Sequence, residues 1–296
     1  LRGRNQPLLV EAFALGTVDR PGARAASKSS GGGAVDLTWR GLLWRPSFGY
    51  AFFERDLKSE LGFFLRTGIH QTNANLAWEP RFSGVLEKLT VSNSATSIHD
   101  QSGDLLDVVV ANSSRLTWKA GWWLEGLADW RTLRAQTDFS LPDGSVVTAG
   151  SYEMLRVGVA GSTPWVRAAA IQLRLRAREY WGGTMLEALP TFVFRPGGLV
   201  RIEGGASVQK VEIDGLTSFT SVVLNTRAAI GFSPNLNLDL YAGWNRLFDV
   251  FPVQARLRWT WRRASDLFVV YQAQVSGSSF AIPQQSLLAK FTIRYP

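Results

Sequence analysis

Cysteine is absent from the 296-residue chain. There is therefore no disulfide framework, no thiol nucleophile and no cysteine-bound metal. Histidine occurs only twice, too sparse for a zinc or haem site, and no metal and no cofactor is expected. No apolar run approaches the ~20 residues of a membrane-crossing helix. No segment of useful length has the helical period and no linker divides the chain, which predicts one domain over residues 1–296. Gly31-Gly32-Gly33 is followed by no Gly-Lys-Ser/Thr and no helix, so it reads as loop flexibility, not as a phosphate cradle. The opening Leu1-Arg2-Gly3-Arg4-Asn5-Gln6-Pro7 lacks an initiator Met and a hydrophobic leader. It reads as the start of a mature or truncated chain whose true N-terminus lies elsewhere.

Tryptophan, glycine and positive charge are abundant: 12 Trp, 28 Gly and a formal net charge of +8. On a soluble protein that charge would suggest nucleic acid. Here the arginines stand at alternate positions, not in a run or on a helix, so no nucleic-acid partner is expected. Residues 253–262 show the pattern best. Ala255, Leu257, Trp259 and Trp261 share one face, and Gln254, Arg256, Arg258, Thr260 and Arg262 the other. A period of two is a β-strand. Arg263-Ala264-Ser265-Asp266 turns the chain into a second alternating strand, with Leu267, Val269, Tyr271, Ala273 and Val275 on one face. Residues 166–179 repeat the pattern, with Ile171, Leu173, Leu175 and Ala177 opposite Gln172, Arg174, Arg176 and Arg178.

Taken in order, the predicted strands are 8–16, 34–40, 44–54, 69–82, 86–98, 105–118, 122–134, 153–161, 166–179, 185–195, 199–213, 219–232, 236–248, 252–262, 267–275 and 286–295. Residues 18–33, 56–67 and 135–151 read as long loops, and 99–104 as a shorter one. Short turns follow the even-numbered strands, and the longest connections follow odd-numbered ones. Outer-membrane barrels keep short turns on the periplasmic side and longer loops outside. Trp39, Trp44, Trp118, Trp122, Trp165 and Trp261 lie near the short turns, and Trp130, Trp181 and Trp244 toward the other ends, as two membrane interfaces would select. The fold expected is all-β: a transmembrane antiparallel β-barrel of about 16 strands in an up-and-down meander. Its place is a Gram-negative outer membrane with both termini periplasmic, its partners membrane lipid and lipopolysaccharide. Phe291, Ile293 and Tyr295 close the chain on one face, like the terminal strand signal read by the barrel-assembly machinery.

Two stretches carry a family resemblance. Residues 56–67, DLKSELGFFLRT, are similar to an NPEVGFVRRTD segment, and residues 259–271, WTWRRASDLFVVY, resemble WRYRPGSDLFVVYN. Trp181-Gly182-Gly183 and Trp244-Asn245 fall where that family has YGG and QYN. Ala264 and Gln272 depart from it, standing where it has Gly and Asn. In this bacterial family of unknown function, a domain like carbohydrate-binding module family 9 precedes an outer-membrane barrel. The resemblance runs from Leu8 to Tyr295 and covers the barrel half. It implies fold and location and transfers no site.

No enzyme activity is expected. His99-Asp100 beside Ser97 and Ser102 matches the residue types of an outer-membrane hydrolase, but a solvated polar loop reads the same. Asp100, Asp104 and Asp107 lack the spacing of a calcium loop. His70 reads as interfacial or luminal. The constellation that carries function is arginine. Arg156, Arg174, Arg176, Arg178, Arg201, Arg227, Arg256, Arg258 and Arg262 are expected to line a lumen, with Leu173, Leu175, Leu257 and Trp259 against lipid. On the lipid face each arginine would cost ~2–4 kcal/mol at the midplane. Glu125, Asp129, Glu153 and Glu203 are the expected counter-charges. Two functions follow: a porin-like channel, or a non-conducting anchor for a periplasmic domain or the subunits of a larger assembly.

Overall fold

The computed structural model describes residues 8–19, 28–57, 67–135, 137–141, 143–213, 215–262, 265–277 and 281–293. The strands are β1 (Leu8–Asp19), β2 (Lys28–Trp39), β3 (Trp44–Phe53), β4 (Ile69–Trp78), β5 (Leu86–Asp100) and β6 (Leu105–Trp118). After β7 (Trp123–Ala135) come two short strands, β8 (Phe139–Ser140) and β9 (Val146–Val147), and then β10 (Gly150–Ser162), β11 (Ala169–Tyr180) and β12 (Gly183–Gly197). The rest are β13 (Val200–Ile213), β14 (Thr217–Ser233), β15 (Leu236–Asn245), β16 (Val250–Arg262), β17 (Ser265–Ser276) and β18 (Gln284–Thr292). No helix occurs among the described residues. All strands but β8 and β9 form one 16-stranded sheet in chain order, an antiparallel up-and-down meander; β8 and β9 pair with each other. The chain divides into two compact units. One holds residues 1–119, 125–139 and 146–157, the other 120–124, 140–145 and 158–296.

The alternating segments fold as their period requires. β6 has the bounds read from sequence, and the polar stretch from Leu86 is a strand paired along its length to β6. Three expectations fail. Residues 18–33 are not one loop: β1 runs to Asp19, β2 starts at Lys28, and Gly31, Gly32 and Gly33 pair with Gly16, Leu15 and Ala14. Without side chains these glycines carry no period to read. They are needed for close approach: a Cβ on Gly32 would lie 2.8 Å from the Phe53 ring, and one on Gly33 2.9 Å from the Phe13 carbonyl. Residues 135–151 hold the β8–β9 hairpin, and β10 already begins at Gly150. His99 and Asp100 belong to β5, with only 101–104 as a turn. The family-like segment 58–66, Arg263, Ala264, Pro142 and the chain ends 1–7 and 294–296, with Tyr295, lie outside the described residues.

Loop lengths follow strand parity only in part. The long connections 54–68 and 136–149 follow odd-numbered strands of the sheet, but 181–182 in the same class is as tight as any turn. Trp181 and Gly182 both have positive φ, 50° and 85°. That pair of conformations matches the twist of the flanking strands, and it closes β11 onto β12 in two residues. Elsewhere Asp143 accepts hydrogen bonds from the Thr217 and Ser145 hydroxyls, which hold its carboxyl below the usual range and tie residues 143–145 to the start of β14.

Candidate functional site

Alternation and register together place the charged side chains. On β11, Arg174 and Arg176 share a face with Gln172 and Arg178, and Arg176 stands opposite Glu187 of β12. The row continues through Gln209 on β13, because Glu187 pairs with Gln209. Arg176 bonds Glu187 at 3.0 Å, and the Gln209 amide donates to the same carboxylate at 2.8 Å. Further along this face Arg201 pairs with Glu203. Asp239 takes two guanidiniums, Arg227 at 2.7 Å and Arg256 at 2.8 Å. Arg258 reaches Asp266 at 3.1 Å, and the Thr260 hydroxyl donates to Asp266 as well. A cavity of about 350 Å³ opens beside Arg201, Asp239, Arg256 and Arg258.

Two arginines on this face stand apart. Arg178 donates to the Met185 sulfur at 2.9 Å and lies 4.9 Å over the Tyr180 ring. Arg174 lies opposite Leu189, and its buried Nε has no partner among the described residues. The carboxylates Glu187, Glu203, Asp239 and Asp266 are therefore outnumbered by the arginines around them.

The other unit repeats the arrangement. Arg115 pairs with Glu125, Arg131 with Asp107 and Arg156 with Asp129. Asp107 and Asp129 are buried, at 5% and 9% exposure. Arg131 grips Asp107 through two nitrogens.

Eight of the nine arginines read from sequence stand opposite the apolar row of their strand. Arg262 does not: a register shift between Thr260 and Arg262 sets it opposite Ser265, out of step with the row of Arg256 and Arg258. A bulge inserts one residue and reverses the alternation beyond it. Glu125, Asp129 and Glu203 are counter-charges as expected, but Glu153 shares the exposed row of Leu155 and Val157. Asp107, Glu187, Asp239 and Asp266 supply what Glu153 does not.

Leu173, Leu175 and Trp259 are exposed at 44%, 42% and 48%, and Leu257, on the row of Trp259, is half-buried. Trp261 meets Trp259 edge-on at 6.0 Å and stacks on Phe291 at 4.6 Å near the end of β16, and Trp244 stacks on Phe251 at 5.9 Å toward the other strand ends. Polar pairs also occur on the apolar rows, among them Lys210 with Glu212 and an asparagine pair. Asn93 and Asn112 are paired in register at the middle of β5 and β6, both exposed, joined by a 2.8 Å hydrogen bond.

The two histidines meet across the sheet on that same row: His70 pairs in register with His99. His70 bonds the Tyr50 hydroxyl at 2.7 Å, and the His99 Nδ1 lies 3.2 Å from the Gly103 carbonyl. Asp100 does not orient His99. It accepts from Ser102 N, Ser102 Oγ and Asp104 N, capping its own turn. Asp107 is held by Arg131, away from Asp100 and Asp104.

The chain matches no protein-family model and no curated protein.

Proposed function

We propose that the sheet closes as a transmembrane β-barrel in a Gram-negative outer membrane, and that its arginine face lines a porin-like lumen that attracts anions. The observation that carries this is inverted burial. In a soluble sandwich the apolar row of each strand is the hidden one. On β11 it is the open one: Ile171 is 55% exposed and Leu173 44%, whereas the side chains of Arg176 and Glu187 are 22% and 15% exposed. Only an apolar surrounding makes such an arrangement stable, because bare leucine rows in water would cost ~25 cal/mol per Å². Lipid supplies that surrounding, and the headgroup zone suits the tryptophans at the strand ends. Lipid and lipopolysaccharide are then the chain's partners on its outer face.

The absence of native cysteine gives a clean test. Single cysteines at Leu173, Leu175, Leu257 and Trp259 are expected to resist a membrane-impermeant thiol reagent in outer-membrane vesicles. Those at Arg174, Arg176, Arg256 and Arg258 are expected to react. Labelling at Leu257→Cys without labelling at Arg258→Cys would reverse the register and sink the reading.

The asparagine pair adds a second test. In hydrocarbon an amide that loses its partner has no water to turn to. Asn112→Val alone is expected to cost about 1–2 kcal/mol, and the double change Asn93→Val with Asn112→Val to restore most of it. Urea midpoints in lipid vesicles measure both. Additive losses would mean that this row faces water.

A second reading, the non-conducting anchor of a larger assembly, draws on the density of ion pairs. A face in which Asp239 holds two guanidiniums and Asp266 holds Arg258 and Thr260 is a cross-linked wall. Conductance separates the two.

A further inference from the structure

The polar face of β15–β18 changes character along its length. Register draws straight rows across these strands. One row is Asp239, Arg256, Val270 and Leu288, and the row before it includes Arg258 and Lys290. The next row toward the opposite strand ends is Tyr241, Gln254, Gln272 and Ser286, followed by Pro252, Gln274 and Gln284. On the neighbouring β14, Arg227 stands opposite Tyr241 and is bonded to Asp239; within β15–β18 charge stops at Asp239 and Arg256. Beyond it the face carries a phenol, four primary amides and a hydroxyl, around a cavity of about 300 Å³.

Tyr241 gives that cavity a floor. Its hydroxyl lies 3.3 Å from where a Cβ on Gly243 would stand. Gly243 is two residues on, ~7 Å along the strand, about the reach of a tyrosine side chain. The ring therefore lies along β15, over a glycine that leaves room for it. The Pro252 ring abuts the same spot, 3.1 Å from the Gly243 Cβ position. Tyr241 keeps 40% exposure in this posture. Among the described residues no hydrogen bond occupies the side-chain amides of Gln254, Gln272, Gln274 or Gln284. Gln285, by contrast, is on the other face and bonded to Tyr271 at 3.2 Å.

From these features we propose that Tyr241, Gln254, Gln272, Gln274 and Gln284 form a binding subsite for a neutral, polyhydroxylated ligand, an oligosaccharide. An amide side chain offers donors and an acceptor together, as a pair of neighbouring sugar hydroxyls does, so a row of amides matches a row of hydroxyls without unpaired charge. The flat phenol offers an apolar surface with a polar tip, the complement of a sugar ring's C–H face and rim. An anionic ligand would instead be drawn to Arg256 and Arg258, which lie outside the amide rows, while Arg227, opposite Tyr241, is already bonded to Asp239. The cavity is at the small end for a ligand site, which suits one end of a chain threading along the face. The subsite requires this face of β15–β18 to be open to solvent. It requires neither closure of the sheet nor conduction, so it and the pore reading fail separately.

Calorimetric titration of the detergent-solubilised full chain with maltotriose, cellotriose and raffinose, with citrate as an anionic control, tests it. At least one trisaccharide is expected to bind. Gln254→Ala and Gln272→Ala are each expected to weaken that binding about tenfold, and Tyr241→Ala by more, while Tyr241→Phe changes it less than about threefold. Arg256→Gln is expected to leave it unchanged. Gln272 is exposed, so its replacement keeps the test valid if Tyr241→Ala does not fold. No heat from any of the three sugars, or binding that both Tyr241→Ala and Gln272→Ala leave intact, would overturn the proposal.

Discussion

Purified chain in a planar bilayer is expected to conduct, with anions favoured over cations. The reason lies in the balance of the polar face. Glu187, Glu203, Asp239 and Asp266 each meet a guanidinium, and Arg174 and Arg178 remain without a carboxylate among the described residues. If the sheet closes as proposed, its low-dielectric walls focus such an excess into the space they enclose. Replacing Arg174, Arg176, Arg256 and Arg258 with Gln removes four positive charges and none of the carboxylates. Glu187 and Asp266 lose their guanidinium partners and Asp239 keeps only Arg227, so the preference is expected to fall and then invert toward cations. The fold should survive, because changes on a lumen face tune selectivity more than stability. Arg174→Gln alone is expected to shift the permeability ratio more than Arg176→Gln, since Arg176 is already neutralised by Glu187. Cation selectivity in the unmodified chain would refute the arginine lumen. Silence even after the 136–149 connection is shortened would leave the anchor as the better account.

How much of this the sequence discloses depends on what each feature is made of. Strands are legible wherever side chains alternate strongly, which is why Leu105–Trp118 and the Leu173/Arg174 strand emerge directly. The glycine run of β2 is illegible, because period two is a property of side chains and glycine has none. Arg262 is misplaced because one bulge residue reverses every position after it, and nothing local in Thr260-Trp261-Arg262 announces a bulge. The counter-charges are hidden for another reason. Asp239 lies 12 residues from Arg227 and 17 from Arg256, and only the register of β14, β15 and β16 makes them neighbours. The Tyr241–Gln254–Gln272–Ser286 row is likewise spread over four strands. A sequence displays rows along a strand, whereas a site on a sheet is a row across strands.

The largest loss of stability is expected from Arg131→Met, and the reason is an asymmetry of burial within one ion pair. Asp107 is 5% exposed, while the Arg131 side chain keeps 43% of its surface in solvent. Arg131 holds both carboxylate oxygens, Nε to Oδ1 at 3.1 Å and an Nη to Oδ2. Removing the arginine strands a buried carboxylate, which costs about 3–5 kcal/mol where no other partner replaces it. Removing the carboxylate strands only a guanidinium that water already reaches. Asp107→Asn is therefore expected to cost about 1 kcal/mol or less, in the range of an exposed pair. Asp107→Leu combined with Arg131→Met takes away both charges and is expected to recover most of the loss, because a buried pair is often no better than well-packed apolar side chains. Asp129 and Arg156, at 9% exposure and 35% side-chain exposure, are expected to behave the same way more weakly. Urea unfolding in detergent, followed by tryptophan fluorescence, measures all of these as midpoint shifts. A loss from Arg131→Met no greater than that from Asp107→Asn would mean that Asp107 finds water or another donor in the folded chain, and that the order of burial does not set the order of cost.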